Sequence, residues 1–220
     1  HGKNFFRDEL GVDVDNLWLP DVFGYSAALP QILKKSGINY FLTQKLSWSQ
    51  FNEFPHHTFN WRGIDGTEIL THFPPENTYN SELDTEFLIP ARDSFKEKDQ
   101  IDEFISLFGV GDGGGGPKPE NIELGRRMAD LESAPRLRFD TAKNFFDRLN
   151  EHKETIETWV GELYLELHRG TLTTHALVKK QNRKLEYKLR AVEMFWACLP
   201  LKTYPSKELE LLWKKLLINQ

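Results

Sequence analysis

The sequence predicts an α/β fold that gives way to an all-helical segment, and three patterns carry that prediction. Residues 16–44 read as strand, helix and strand with short joins, a βαβ unit whose parallel crossover goes with a buried sheet. Residues 57–73 hold two alternating runs around Asp65-Gly66, a hairpin turn signal. Beyond about 165–175 the apolar spacing changes to threes and fours, as bundle helices require.

The elements follow in order. Residues 4–10 read as a short helix closed by Gly11, and 16–20 (NLWLP) as an apolar strand. Residues 26–37 form the next helix, with Ser26 as N-cap, Pro30 near the first turn and Gly37 past the end. NYFLTQ (39–44) is the following strand, and the hairpin spans 57–73. The polar stretch from about 75 to 100 reads as a long excursion loop. EFISLFGV (103–110) reads as a buried strand running into the breaker cluster GDGGGGPKP. A helix is expected over 119–131 from Pro119, a short strand over 136–139, and a helix to Leu149 capped by Asp140 or Thr141. TWVGELYLEL (158–167) is apolar and extended. Leu185, Leu189, Val192, Trp196 and Leu199 then mark one helical face, and Leu209, Leu212, Trp213, Leu216 and Leu217 another.

Composition bounds the function. A 220-residue chain that is 39% hydrophobic is globular, and a net charge of −5 argues against nucleic acid or an anionic membrane as main partner. The longest apolar run, MFWACLPL, is too short to span a bilayer, and the first residues carry no signal-peptide pattern. Cys198 is the one cysteine and cannot form an internal disulfide, which fits a reducing compartment but also many others. The chain starts at His1 and stops at Gln220 inside an apolar periodic stretch, so a fragment of a longer protein is expected.

Two aspartates stand out. Asp21 follows an apolar strand, between Pro20 and a turn containing Phe23, Gly24 and Tyr25. Strand C-terminal edges are where α/β barrels collect catalytic groups, although an aspartate there also serves as an ordinary cap. Asp112 sits in GVGDGGGGP, which lacks the lysine and hydroxyl of a P-loop and the dinucleotide-binding spacing. Residues without side chains would instead let a ligand approach the backbone around the carboxylate, unless the loop is simply solvated. His56, His57 and His72 read as hairpin or surface residues rather than zinc ligands. His168, Arg169 and Thr171 form a polar cluster that could orient a polyhydroxyl ligand or bridge a domain junction.

Six segments in order, LWLPDVFGYSAALPQ, YFLTQKLSW, FPHHTFNW, THFPPENTYN, FGVGDGGGGP and WVGELYLELHRGTLTTH, resemble glycoside hydrolase family 38, the class II alpha-mannosidases, of the cytosolic and vacuolar type. The resemblance covers nearly the whole chain. It implies part of a (β/α)7 barrel over 1–165 and the start of a three-helix bundle over 166–220. It also implies a retaining alpha-mannosidase that trims terminal mannose from free or glycan-derived oligosaccharides. Asp21 would be nucleophile and metal ligand, Asp112 the general acid/base, and Phe23, Lys45 and Tyr79 substrate-binding residues.

The implied cofactor is zinc, with cobalt as an alternative. The family's His-x-Asp and Phe-His-Asp zinc segments are not in this sequence, which leaves Asp21 as the one expected ligand. The expected partners are a mannose-containing oligosaccharide and, for the longer parent, further copies of itself; neither nucleic acid nor a membrane is expected. The expected compartment is the cytoplasm, with vacuole or lysosome as the alternative. The competing reading is a non-catalytic fragment that keeps a carbohydrate-binding or interaction surface.

Overall fold

The βαβ unit forms as its apolar spacing requires. A computed structural model of residues 1–220 places strand β1 at Asn16–Trp18, after a first helix α1 (Gly2–Leu10) that ends on left-handed Gly11. Helix α2 (Leu29–Lys35) and strand β2 (Tyr40–Leu42) follow, with β1 and β2 parallel and Leu17 opposite Phe41. The helix begins later than the sequence indicates. Ser26 instead accepts the Ala28 N–H in the preceding turn, and Pro30 falls in the first helical turn, where a missing N–H costs nothing.

The hairpin pairs β3 (Thr58–Arg62) with β4 (Glu68–His72), and β5 is Thr158–Val160. The sheet order is β1-β2-β4-β3-β5, parallel except between β3 and β4. It is open, with β1 and β5 as its edges, so these strands do not close a barrel. This topology positions the site. The ends of parallel β1, β2 and β4 share one edge of the sheet, and antiparallel β3 starts there.

Phe41, Leu42, Phe59, Trp61 and Ile69 are fully buried, because β2 and the hairpin lie inside the core. The Tyr25 and Phe41 rings meet edge to face at 5.1 Å, and Tyr40 stacks on Phe146 at 5.0 Å. Phe146 lies on a helix at Ala142–Glu151, which buries Phe145, Phe146 and Leu149 along one face. Truncating such an aromatic to alanine costs about 3–5 kcal/mol.

The segment read as a loop over 75–100 contains helix α3 (Thr85–Ser94), started by the Asp84 side chain accepting the Phe87 N–H. Pro90 lies inside it. Pro90 and Glu86, whose carbonyl would have bonded position 90, both face solvent, so water can satisfy that carbonyl. Residues 103–110 are half-buried and extended, not a strand; they carry a bridge from Ser81 to Phe108. Residues 136–139 form no strand either, since no neighbouring chain offers them a ladder. Helix α4 (Pro119–Arg127) passes into a short 3-10 turn at Met128–Asp130, and α5 (Ala142–Glu151) is capped by Thr141.

The chain divides into two units, His1–Leu167 and His168–Gln220. The second consists mainly of α6 (Ala176–Ala197) and α7 (Ser206–Leu217), which pack around Leu189, Leu209 and Leu216. Leu185, Val192, Leu212 and Leu217 from the predicted apolar faces stay exposed, because two helices cannot enclose a full bundle stripe. No helix is long and apolar enough to cross a membrane.

Candidate active site

Asp21 sits on a turn strapped at both ends. Before it, the Leu19 N–H donates to the Leu42 carbonyl (3.0 Å), continuing the β1–β2 pairing. After it, Tyr25 exchanges two backbone hydrogen bonds with Leu163, at 2.8 and 3.0 Å. The Tyr25 hydroxyl donates to the Leu19 carbonyl (2.6 Å) and also meets the Thr43 hydroxyl. Burial, opposed by the Thr43 hydrogen bond, pushes this phenol up to about 12, so the strap keeps its proton across ordinary pH. Gly24 completes the turn at φ 102°, where an added Cβ would stand 3.3 Å from the Leu163 carbonyl oxygen.

Lys45 begins a 3-10 turn, Lys45–Trp48, just past β2. Its Nζ lies 2.6 Å from Asp21 Oδ1, a charge-assisted pair. The lysine side chain is 5% exposed and the aspartate 50%. A buried ammonium needs such compensation. It gets more from the faces of Trp48 and Phe23, whose ring centres lie 3.4 and 5.2 Å away. The aspartate therefore presents a fixed, half-exposed carboxylate beside two partly exposed aromatic rings.

Asp112 occupies the tip of a four-residue turn. Val110 and Gly115 pair across its base, and the Gly114 N–H donates to the Gly111 carbonyl at 2.7 Å. The Tyr79 hydroxyl donates to Asp112 Oδ1 at 3.1 Å. Gly111 packs so closely on Tyr79 and Asn80 that a Cβ there would lie 2.5 Å from the Tyr79 ring. Below the turn, Ser81 anchors the segment: its N–H donates to the Leu107 carbonyl and its hydroxyl to Glu76, whose carboxyl burial pushes up.

Tyr79 links the two halves. Its phenol is raised by burial first, then by the hydrogen bond to Asp112 and by the charge of Asp21. Both carboxylates thus act on one hydroxyl. Phe23, Lys45 and Asp21 are brought together, as are Tyr79 and Asp112. Asn80 is not singled out by the sequence, and Tyr25 and Trp48 are noted there only as aromatic residues, without the contacts they make here. The spacing of Trp48, three residues after Lys45, was the one available signal, because a 3-10 turn stacks such positions.

The histidines serve other ends. His72 is fully buried; its Nε2 accepts the Ile105 N–H, so Nδ1 donates to the Thr58 hydroxyl at 2.8 Å. His57 is buried and His56 pairs with Glu97 at 3.4 Å. No three His, Cys, Asp or Glu side chains converge to hold a metal. Zinc sites use three or four protein donors. Here Asp21 supplies one, and its Oδ1 already binds Lys45, so these residues alone do not fit zinc.

The chain belongs to glycoside hydrolase family 38: residues 1–162 match the "Glycosyl hydrolases family 38 N-terminal domain" and residues 166–220 the "Alpha mannosidase middle domain". Among individual proteins, it is 44% identical over its whole length to alpha-mannosidase 2C1 of Homo sapiens and 44% identical to alpha-mannosidase G of Dictyostelium discoideum. An alpha-mannosidase of Saccharomyces cerevisiae is 40% identical, again over the full chain. The chain spans about a fifth of these relatives: 21% of the human protein, 20% of the Dictyostelium protein and 22% of the yeast protein. The crystal structure of an alpha-mannosidase from Enterococcus faecalis shares the fold, with a TM-score of 0.71 at 17% identity over 97% of this chain and 26% of that one.

Proposed function

We propose that the parent protein is a retaining alpha-mannosidase and that this chain carries its two catalytic carboxylates. The supporting observation is that each aspartate is held by a partner: the Tyr79 hydroxyl donates to Asp112 at 3.1 Å and Lys45 pairs with Asp21 at 2.6 Å, with the Asp21 charge also helping to raise the Tyr79 phenol. The names of the relatives support a mannosidic substrate.

Asp21 attacks the anomeric carbon while protonated Asp112 gives its proton to the departing glycosidic oxygen. A mannosyl ester forms on Asp21. Water, losing a proton to Asp112, then attacks the same carbon and releases mannose with retained configuration. Such carboxylates work about 5–5.5 Å apart. Lys45 holds the Asp21 carboxylate in a fixed orientation, and Phe23 offers an apolar face to the sugar. Tyr79 fixes one Asp112 oxygen and leaves the other for the leaving group.

Zinc is proposed for the longer parent only, with Asp21 as one donor. The substrate class is a mannose-containing oligosaccharide. The cytoplasm is the proposed compartment, in keeping with the exposed free thiol of Cys198. We also propose the start of the helical domain near residue 166.

The test is Asp112→Ala in the full-length parent, with aryl mannosides of graded leaving groups. Activated substrates should keep most of their glycosylation rate, poor leaving groups should lose about 10²–10⁴-fold, and azide should restore part of the turnover. An equal loss across the series without azide rescue refutes the assignment. Sugar binding without any turnover in the unmutated parent would favour the non-catalytic alternative.

A further inference from the structure

We propose that the cavity between residues 44–54 and the His56-His57 step is a second sugar subsite, which holds neutral sugar units of the substrate beyond the mannose that is cleaved. The proposal rests on reading the parent as an alpha-mannosidase. The cavity has a volume of about 500 Å³, inside the range of roughly 300–1,000 Å³ typical of ligand sites. It lies against the segments after β2, before β3 and after β4, at the sheet edge that also carries Asp21. Gln44 and Leu46, on either side of Lys45, line it.

Its donors are set by what their other atoms already do. Gln44 is 3% exposed; its Oε1 accepts the Ser47 hydroxyl, and its Nε2 has no partner in the protein. His57 is 8% exposed; its Nδ1 accepts the Lys96 N–H at 3.1 Å, so the neutral ring carries its proton on Nε2. Burial holds His57 down to about 4, which keeps it neutral in ordinary buffers. Two buried, uncharged N–H donors therefore border the cavity.

The charges balance. Glu53 on the cavity wall pairs with Lys96 at 2.5 Å, so neither an anion nor a cation is selected. Phe51 and Phe54 supply apolar surface that suits the C–H face of a sugar ring. The wall is also preformed. Glu166 accepts the backbone N–H groups of Phe51 and Asn52, at 3.1 and 2.7 Å, and the Asn52 amide. A loop ordered before binding pays little entropy on binding. Neutral donors, apolar rings and no net charge together match a polyhydroxylated ligand.

The experiment uses the full-length parent with two variants, His57→Phe, which removes a donor, and Ser47→Trp, which fills the cavity from its exposed rim. kcat/KM is measured for an aryl alpha-mannoside and for mannotriose. Each variant should lose at least about tenfold more on mannotriose than on the aryl mannoside, chiefly through KM, the scale of one well-made hydrogen bond. Equal losses on both substrates, or none, overturn the subsite. If the unmutated parent hydrolyses neither substrate, the mannosidase reading fails, and calorimetric titration with mannotriose decides the subsite alone. Binding weakened by Ser47→Trp then supports it, and binding unchanged or absent overturns it.

Discussion

Gly111→Ala in the full-length parent tests how the Asp112 turn is held. The new methyl carbon would sit 2.5 Å from Asn80 Oδ1, 2.5 Å from Tyr79 Cε2 and 2.6 Å from Asn80 Nδ2. Carbon contacts settle near 3.5–4.0 Å, so the turn must retreat by roughly 1 Å. Asn80 cannot swing aside freely, since its Oδ1 is buried. The retreat moves Asp112 away from the Tyr79 hydroxyl. A misplacement of about 1 Å can cost about 10²-fold in rate, within the 10²–10⁴-fold that a general acid supplies.

The assay is kcat/KM against leaving-group acidity, with Gly113→Ala and Gly116→Ala as controls. At 113 an added Cβ meets nothing nearer than 3.8 Å, and at 116 nothing within 4 Å. Gly111→Ala should lose about 10²-fold on poor leaving groups and much less on activated ones. Its melting temperature should stay near that of the controls. If Gly111→Ala behaves as the controls do on every substrate, the packing does not position Asp112. If Asp112→Ala itself leaves poor substrates untouched, the fault lies with the acid/base assignment instead.

Acid stability follows from the buried histidines. His57 is held down to about 4 and His72 well below the usual imidazole range, in both cases first by burial. Folding thus favours their neutral forms; this stability is complete above pH 6.5 and is lost as pH falls through about 4. The His57 share is roughly 3 kcal/mol. Glu97, raised by burial, has the opposite sign: its contribution is lost as pH rises. Urea unfolding should show falling stability from pH 6.5 to 4, with a shallower slope in His57→Phe; an unchanged slope refutes the His57 share. For the metal, elemental analysis of the isolated 220-residue chain after dialysis should find no stoichiometric zinc, since Asp21 is a single donor paired with Lys45. One tightly held zinc per chain would mean that other side chains rearrange into a site.

The parallel unit and the hairpin were legible because their signals are local: apolar runs of strand length, and Asp65-Gly66 at the turn, where Gly66 takes φ 83°. The misread segments depend on what lies across from them. Residues 103–110 and 136–139 have strand-like composition, yet a strand needs a neighbour's ladder, and the neighbour offers a single bridge or none. Helix α3 was hidden by Pro90, which is tolerated because its face meets solvent. In the site, family likeness pointed to Asp21, Lys45, Phe23, Tyr79 and Asp112. It did not reveal the Tyr25 strap, the Trp48 face over the ammonium or the clash held off at Gly111. Each of these is a contact between segments far apart in sequence or shaped by an irregular turn, and neither spacing nor composition encodes it.

The central claim is that Asp21 forms the covalent bond to the sugar, and trapping that bond tests it most directly. The full-length parent is incubated with a fluoromannosyl fluoride, whose ring fluorine slows both formation and breakdown of the glycosyl-enzyme while its excellent leaving group keeps formation the faster step. The protein is then digested and its peptides sequenced by mass spectrometry. Time-dependent inactivation is expected, with one fluoromannosyl unit on the carboxylate of Asp21 and no label in Asp21→Asn. A label on another side chain, or steady turnover of the probe with inversion at the anomeric carbon, would contradict it.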